Sequence, residues 1–244
     1  MKSLLRWTGL VVVAVLMLEL FFVVRIAAMI VINPQSTAFQ RSEAWILATN
    51  KGSLRWRQQW VPYAQLPDSL KRAVIASEDG DFINHDGVEW EAIEKAWQKN
   101  AKAEAQAAKR LQAAKAGAVR APKIVGGSTI SQQLAKNLML SGERTLLRKG
   151  QEFVLTMLLE ALLSKQRILE IYLNSVEWGE GVFGAEAAAQ HYFRKPAARL
   201  SAFESARLAV MLPRPKYFEK VPNSGYLSSR ASTIVSRMGD AELP

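Results

Sequence analysis

Residues 126–137 read Gly126-Gly127-Ser128-Thr129-Ile130-Ser131-Gln132-Gln133-Leu134-Ala135-Lys136-Asn137, and they decide the kind of fold. Two glycines give a flexible lead-in, and Thr129 followed three residues on by Gln132 has the capping-box pattern of a helix start. Beyond that cap, Thr129, Gln133 and Lys136 recur at i, i+4 and i+7 beside an apolar row of Ile130, Leu134 and Leu138. One polar and one apolar stripe at that spacing predict an amphipathic helix. Its N-terminus, with hydroxyls and a lysine nearby, would suit a phosphate. It is not a P-loop, because GK[ST] and a suitable preceding strand are missing. Taken alone, it reads as an ordinary capped helix.

The helical period continues on both sides. It predicts helices over 129–140, 145–163, 165–174, 201–212 and 229–238, with Pro213-Arg214-Pro215 as a stop. Upstream, Leu70, Val74 and Ser77/Glu78 share one face of a helix over 70–78, and Gly80 ends it. The expected fold is mainly α from residue 67 onward. Residues 33–66 read as a membrane-proximal connection, irregular or β-rich, with a turn at Asn50-Lys51-Gly52 and Leu54/Trp56 alternating with Arg55/Arg57. No repeat of solenoid length is visible.

Over 95–123 the pattern changes. Eight basic residues stand against one acid, Glu104, and nine of the eighteen positions from 101 to 118 are alanine. Ala, Lys and Gln favour helix, but Leu111 is the only large aliphatic in 101–118, so no apolar face exists to bury. This segment reads as an exposed, mobile, partly helical insertion. It holds most of the chain's charge imbalance of 32 basic to 22 acidic residues, a formal +10. Such a balance favours a polyanionic partner. With 49% apolar residues the chain is not disordered; with no cysteine and two separated histidines it has no thiolate site and little basis for a histidine zinc site.

Residues 9–32 form a 24-residue apolar run, about 36 Å as a helix against a bilayer of about 30 Å. Glu19 and Arg25 interrupt it. Near the centre they cost about 5 to 7 kcal/mol together, whereas sixteen Leu, Ile, Val and Phe return about 5 to 10. Arg25 can snorkel, but Glu19 cannot easily, and about 120° of helix separates the two. The run is too long for a cleaved signal and lacks a small-residue cleavage site. Lys2 and Arg6 precede it, so residues 1–8 are expected in the cytoplasm and the domain after 32 outside it. That placement removes nucleic acid as a partner and leaves membrane lipids.

Three clusters carry candidate chemistry. Glu78-Asp79 ends a helix before Gly80, Phe82, His85 and Gly87, and a carboxylate at the negative end of a helix dipole is raised toward a useful general base. Taken alone, these acids read as solvated helix ends, and His85 as a structural residue. The capped helix at 129 is the second cluster. The third is Arg144, Arg148, Lys149 and Glu152, where i, i+3 and i+4 spacing by itself means surface ion pairs worth under about 1 kcal/mol. Yet 153–163 is almost wholly apolar, so those charges must face something polar.

In order, EDGDFINHDG at 78–87, GGSTISQQLAKN at 126–137, RKGQE at 148–152, KQRILEIYLN at 165–174 and a final block from Trp178-Gly179 to Leu208-Ala209 resemble the family-51 peptidoglycan glycosyltransferases, in their monofunctional branch. The resemblance spans about 60–220. It implies a lysozyme-like, two-lobed catalytic domain over 67–244, with 95–123 inserted, behind a single membrane helix. It also implies polymerisation of lipid II into glycan strands, with inversion and release of undecaprenyl diphosphate, at the bacterial inner membrane with the domain in the periplasm. By position, Glu78 resembles the general base and Glu152 the second essential carboxylate. Lys136, Arg144, Arg148 and Lys149 resemble diphosphate and donor contacts. Asp79, Phe82, His85, Thr129 and Gln133 resemble supporting residues of the cleft.

The chemistry agrees with that distribution. A lipid diphosphate leaves as a stable anion, so one base and a cationic cluster suffice, whereas a hydrolase must also protonate its leaving group. No organic cofactor is implied; a divalent cation, Mg2+ or Mn2+, is a candidate. Lipid II, the growing glycan strand and other cell-wall synthesis proteins are the implied partners. The alternative is a membrane-anchored lytic muramidase on the same fold. Two departures stand out: Glu89 replaces the family's usual Asp, and the 95–123 link is longer than usual.

Overall fold

A computed structural model describes residues 2–52, 55–113, 127–140 and 145–244. The chain opens with α1 (Lys2–Ala28), of which 3–28 is long and apolar enough to cross a membrane. The helix therefore begins and ends earlier than the apolar run at 9–32. Its end is set by docking, a signal local sequence does not carry. Phe22, Ile26 and Met29, at i, i+4 and i+7, enter the main core, while nearly all side chains before Phe22 are exposed. Arg167 then takes the carbonyls of Met29 and Ile32 through Nε and Nη2, at 2.7 and 3.2 Å.

The segment 33–66 is not irregular or β-rich. It holds α2 (Ala38–Lys51), started by a Thr37/Gln40 capping box and ended by Gly52 at φ 61. The expected turn at 50–52 is thus a helix C-terminus, stopped where glycine adopts the left-handed backbone. Only β1 (Arg57–Gln58) of the expected alternation is strand; Leu54 lies outside the described residues.

Next come α3 (Asp68–Glu78) and α4 (Trp90–Ala113). The latter carries the insertion, which is helical to 113; residues 114–126 lie outside the described residues. Between 101 and 107 its side chains are exposed or half-buried, as a segment without an apolar face requires. Then follow α5 (Ile130–Met139), α6 (Leu146–Leu162) and α7 (Lys165–Ser175). Each begins at a side-chain cap that the sequence supplies: Thr129 with Gln132, Thr145, and Ser164.

A hairpin of β2 (Glu177–Gly179) and β3 (Val182–Phe183) follows, unforeseen because two- and three-residue strands have no periodicity to read. β3 lies between β2, antiparallel, and β1, parallel, with Arg57 opposite Val182. The remainder is α8 (Ala185–Phe193), α9 (Ala202–Met211), α10 (Pro215–Lys220) and α11 (Gly225–Arg237). Here α3 packs on α9 and α11, and α5 on α6, α7 and α2. The core that joins them is built on Tyr172, Trp178, Phe82, Leu134 and Leu155. Full burial of one such side chain contributes about 1.5 to 3 kcal/mol.

Candidate active site

Glu78 is the last residue of α3 and half-buried. Gln133, one turn into α5, donates from Nε2 to its Oε2 at 3.1 Å, and Ser77 donates to Oε1 at 3.4 Å. The Gln133 amide is itself oriented, because the buried Tyr172 hydroxyl donates to Gln133 Oε1 at 2.9 Å. Burial, followed by the nearby Glu78 and Asp79 charges, pushes the phenol well above its ordinary value, so it stays a donor. The Glu78 carboxyl is raised mainly by burial, against the lowering effect of its Gln133 and Ser77 hydrogen bonds, with Asp79's charge adding to the rise. The direction is that expected from the sequence; desolvation, rather than the helix dipole, leads it.

Asp79, 4% exposed, is a staple. Its Oδ1 meets His85 Nε2 at 2.9 Å, and its Oδ2 accepts from the Ile130 amide at 2.8 Å, which fastens α3 to the first turn of α5. The Gly87 amide donates to His85 Nδ1 at 3.0 Å, so Nε2 carries the proton toward Asp79. Burial draws His85 down, but the Asp79 hydrogen bond and charge outweigh it and leave the ring raised. Gly87 sits at φ 86, where a Cβ would meet Thr156 Cγ2 at 2.7 Å. Thr129 Oγ1 donates to the Gly87 carbonyl at 2.6 Å. Asp79, Phe82, His85 and Thr129 are therefore buried and mutually engaged, behind the cleft wall.

Gln133, Lys136 and Arg148 come together on a cleft of about 350 Å³, with Asn137, Glu177 and Leu212 also on its walls. Gln133 connects this cleft to Glu78. Arg148 Nη1 lies 3.5 Å from Glu152 Oε2, and the Lys149 ammonium pairs with Glu152 Oε1. Glu152 is buried, while Lys149 reaches solvent. This cluster is thus no surface pairing: α6 holds one buried carboxylate between two cations, with Arg148 facing the cleft. Arg144 lies outside the described residues. Among the described residues no group of three His, Asp or Glu could hold a metal ion, and both Glu152 oxygens are already engaged by cations. These residues do not fit a resident Mg2+ or Mn2+.

Block 165–174 proves to be scaffold that sequence reasoning did not assign. Lys165 donates to the His85 carbonyl, pairs with Glu160 at 2.9 Å and lies 4.7 Å over the Phe82 ring. Asn174 exchanges two hydrogen bonds with the Val61 backbone, 2.8 and 2.9 Å, and so fixes the chain entering α3. Glu177 is a further acid of the cleft. Desolvation raises it to about 7, against Lys216 and together with Glu43 and Glu219. No motif pointed to it, because its partners come from α2 and α10.

A desolvated carboxylate at the end of one helix, a glutamine bridging it to a cleft, and cations with a second buried carboxylate beyond come together here. Residues 46–239 match the profile of the family described as Transglycosylase, and the chain belongs to that family. It is an enzyme of the transglycosylase type on the mainly α, lysozyme-like fold. Relatives named biosynthetic peptidoglycan transglycosylase resemble it over nearly their whole length. That of Burkholderia thailandensis is 52% identical over all of this chain and 90% of its own. That of Herminiimonas arsenicoxydans is 48% identical over all of this chain and 99% of its own, and that of Paraburkholderia xenovorans 49% over 98% and 94%.

Proposed function

We propose that this protein is a peptidoglycan glycosyltransferase that polymerises lipid II into glycan strands. The observation that carries the reading is Glu78, desolvated and bridged by Gln133 to a cleft that Lys136 and Arg148 also line. Glu78 takes the proton from the acceptor's 4-hydroxyl. The freed oxygen attacks the donor anomeric carbon from the face opposite the leaving group. As the new C–O bond forms, the bond to the lipid diphosphate breaks with inversion, and the electron pair leaves on undecaprenyl diphosphate. Desolvation makes Glu78 a stronger base than a free carboxylate, and the Gln133 and Ser77 hydrogen bonds preserve its ionised form.

Lys136, Arg148 and Lys149 answer the charge developing on the diphosphate, and Glu152 holds the last two in place. Arg144 belongs to the same group by its position in the sequence. A divalent cation, in this reading, enters on the substrate diphosphate, and no step depends on a protein cage for it. Asp79, Phe82, His85 and Thr129 act one layer behind, fixing Glu78 against α5. The helix α1 anchors the enzyme in the inner membrane with residues 1–8 cytoplasmic and the catalytic domain periplasmic, which keeps the site at the lipid surface where its substrate resides.

The test is incubation of the full chain with lipid II and, separately, with purified sacculi. The transferase reading expects polymer and free lipid diphosphate from the first and no soluble fragments from the second. Soluble muropeptides without polymer would instead establish a lytic muramidase.

A further inference from the structure

An acid within a membrane-spanning helix costs about 2.5 to 3.5 kcal/mol near the centre, and such residues usually face a partner and mark function. Glu19 is the single acid of α1. Its Oε1 accepts a hydrogen bond from Gln151 Nε2 of α6 at 3.0 Å, whereas its Oε2 is buried with no partner among the described residues. Gln151 lies between Gly150 and Glu152, one turn from Arg148.

We infer that Glu19 is a positioning residue for the transferase reaction: from within the membrane helix, its bond to Gln151 fixes the turn of α6 that presents Arg148, Lys149 and Glu152. This rests on the transferase reading above. Docking of the anchor alone does not require an acid. Phe22, Ile26 and Met29 already enter the core, and Arg167 already clamps the end of α1. An apolar residue at 19 would insert at lower cost. What the bond adds is directional restraint on a soft turn. Gly150, interior to α6, meets nothing within 4 Å at its Cβ position, and a helix-interior glycine costs about 1 kcal/mol relative to alanine. The adjoining Arg148–Glu152 pair is long at 3.5 Å, so a small rotation of this turn removes it.

The test is lipid II polymerisation by the full chain in phosphatidylglycerol–phosphatidylethanolamine vesicles, with kcat, KM and Tm measured for each variant. Hydrogen bonds between membrane helices are modest, so Glu19→Leu is expected to lower kcat about fivefold at unchanged KM and Tm. Glu19→Gln, which keeps an acceptor for Gln151, should restore kcat to within about twofold of wild type. Glu19→Leu combined with Gln151→Leu should be no worse than Glu19→Leu alone, because both changes remove one bond. The inference is overturned by a Glu19→Leu kcat within about twofold of wild type. It is also overturned by losses that multiply in the double variant, or by a loss that follows a lowered Tm. If the wild type itself makes no polymer, the transferase reading falls and takes this one with it; equal polymer from wild type and Glu19→Leu removes this one alone.

Discussion

Burial raises two carboxyls of the cleft region, Glu78 and Glu177, yet they answer pH in different ways. In the proposed mechanism Glu78 works as a base only when ionised, so activity is expected to rise with pH through its raised value. The Gln133 bond favours the ionised form; without it the carboxyl rises further. Gln133→Ala should therefore move the acidic limb of the kcat/KM profile to higher pH, and an unmoved limb would separate Gln133 from the base. Glu177 expresses its shift in stability. Its carboxyl titrates at about 7 when folded and 4.5 when free, so the folded state holds the proton more tightly. The stability linked to that proton is complete below 4.5 and is lost as pH rises to about 7. Glu177→Gln should accordingly raise Tm at about pH 8 relative to wild type, with a smaller difference at about pH 5. An equal difference at both would show that Glu43, Glu219 and Lys216 cancel the desolvation.

Among the elements, the joint between α3 and α5 rests on one side chain. Asp79→Ala removes the acceptor of both His85 and the Ile130 amide and leaves two buried donors without partners. The expected cost is about 3 kcal/mol, read from a denaturant titration; under about 1 kcal/mol would mean that water replaces the carboxylate. The insertion should behave oppositely. Because the described part of 101–118 buries little, deleting that stretch should shift Tm by less than about 2 °C, and a larger fall would reveal packing on the domain.

The same contrast explains what the sequence revealed. Helices with caps and stripes, such as the one begun by Thr129 and Gln132, were legible because every determinant is local. The family resemblance implied that Glu78 and Gln133 share a cleft, but not the hydrogen bond between them. The helix over Ala38–Lys51 is not legible in the same way, because its Thr37/Gln40 cap has no apolar stripe beside it. The β2–β3 hairpin is local, but its strands are too short to show a period. The roles of Lys165, Arg167 and Asn174 and the place of Glu177 depend instead on contacts across more than thirty residues, which no window of local sequence contains.

At the scale of the whole molecule, membrane helix and catalytic domain form one packed body. Ile26 and Met29 share a core with Leu155 and Leu159, and Arg167 ties the end of α1 to the start of α7. Under the proposed function this packing would hold the cleft at a fixed height above the lipid that carries the substrate. The formal +10, concentrated by sequence in 95–123, favours an anionic membrane surface in the same way. In the proposed mechanism Glu78 is the one group asked to move a proton. Its removal by Glu78→Gln preserves size and leaves the Gln133 and Ser77 partners in place. The account predicts that the reconstituted Glu78→Gln chain keeps the wild-type Tm and yields no glycan polymer from lipid II. Polymer at a rate near that of the wild type would contradict it.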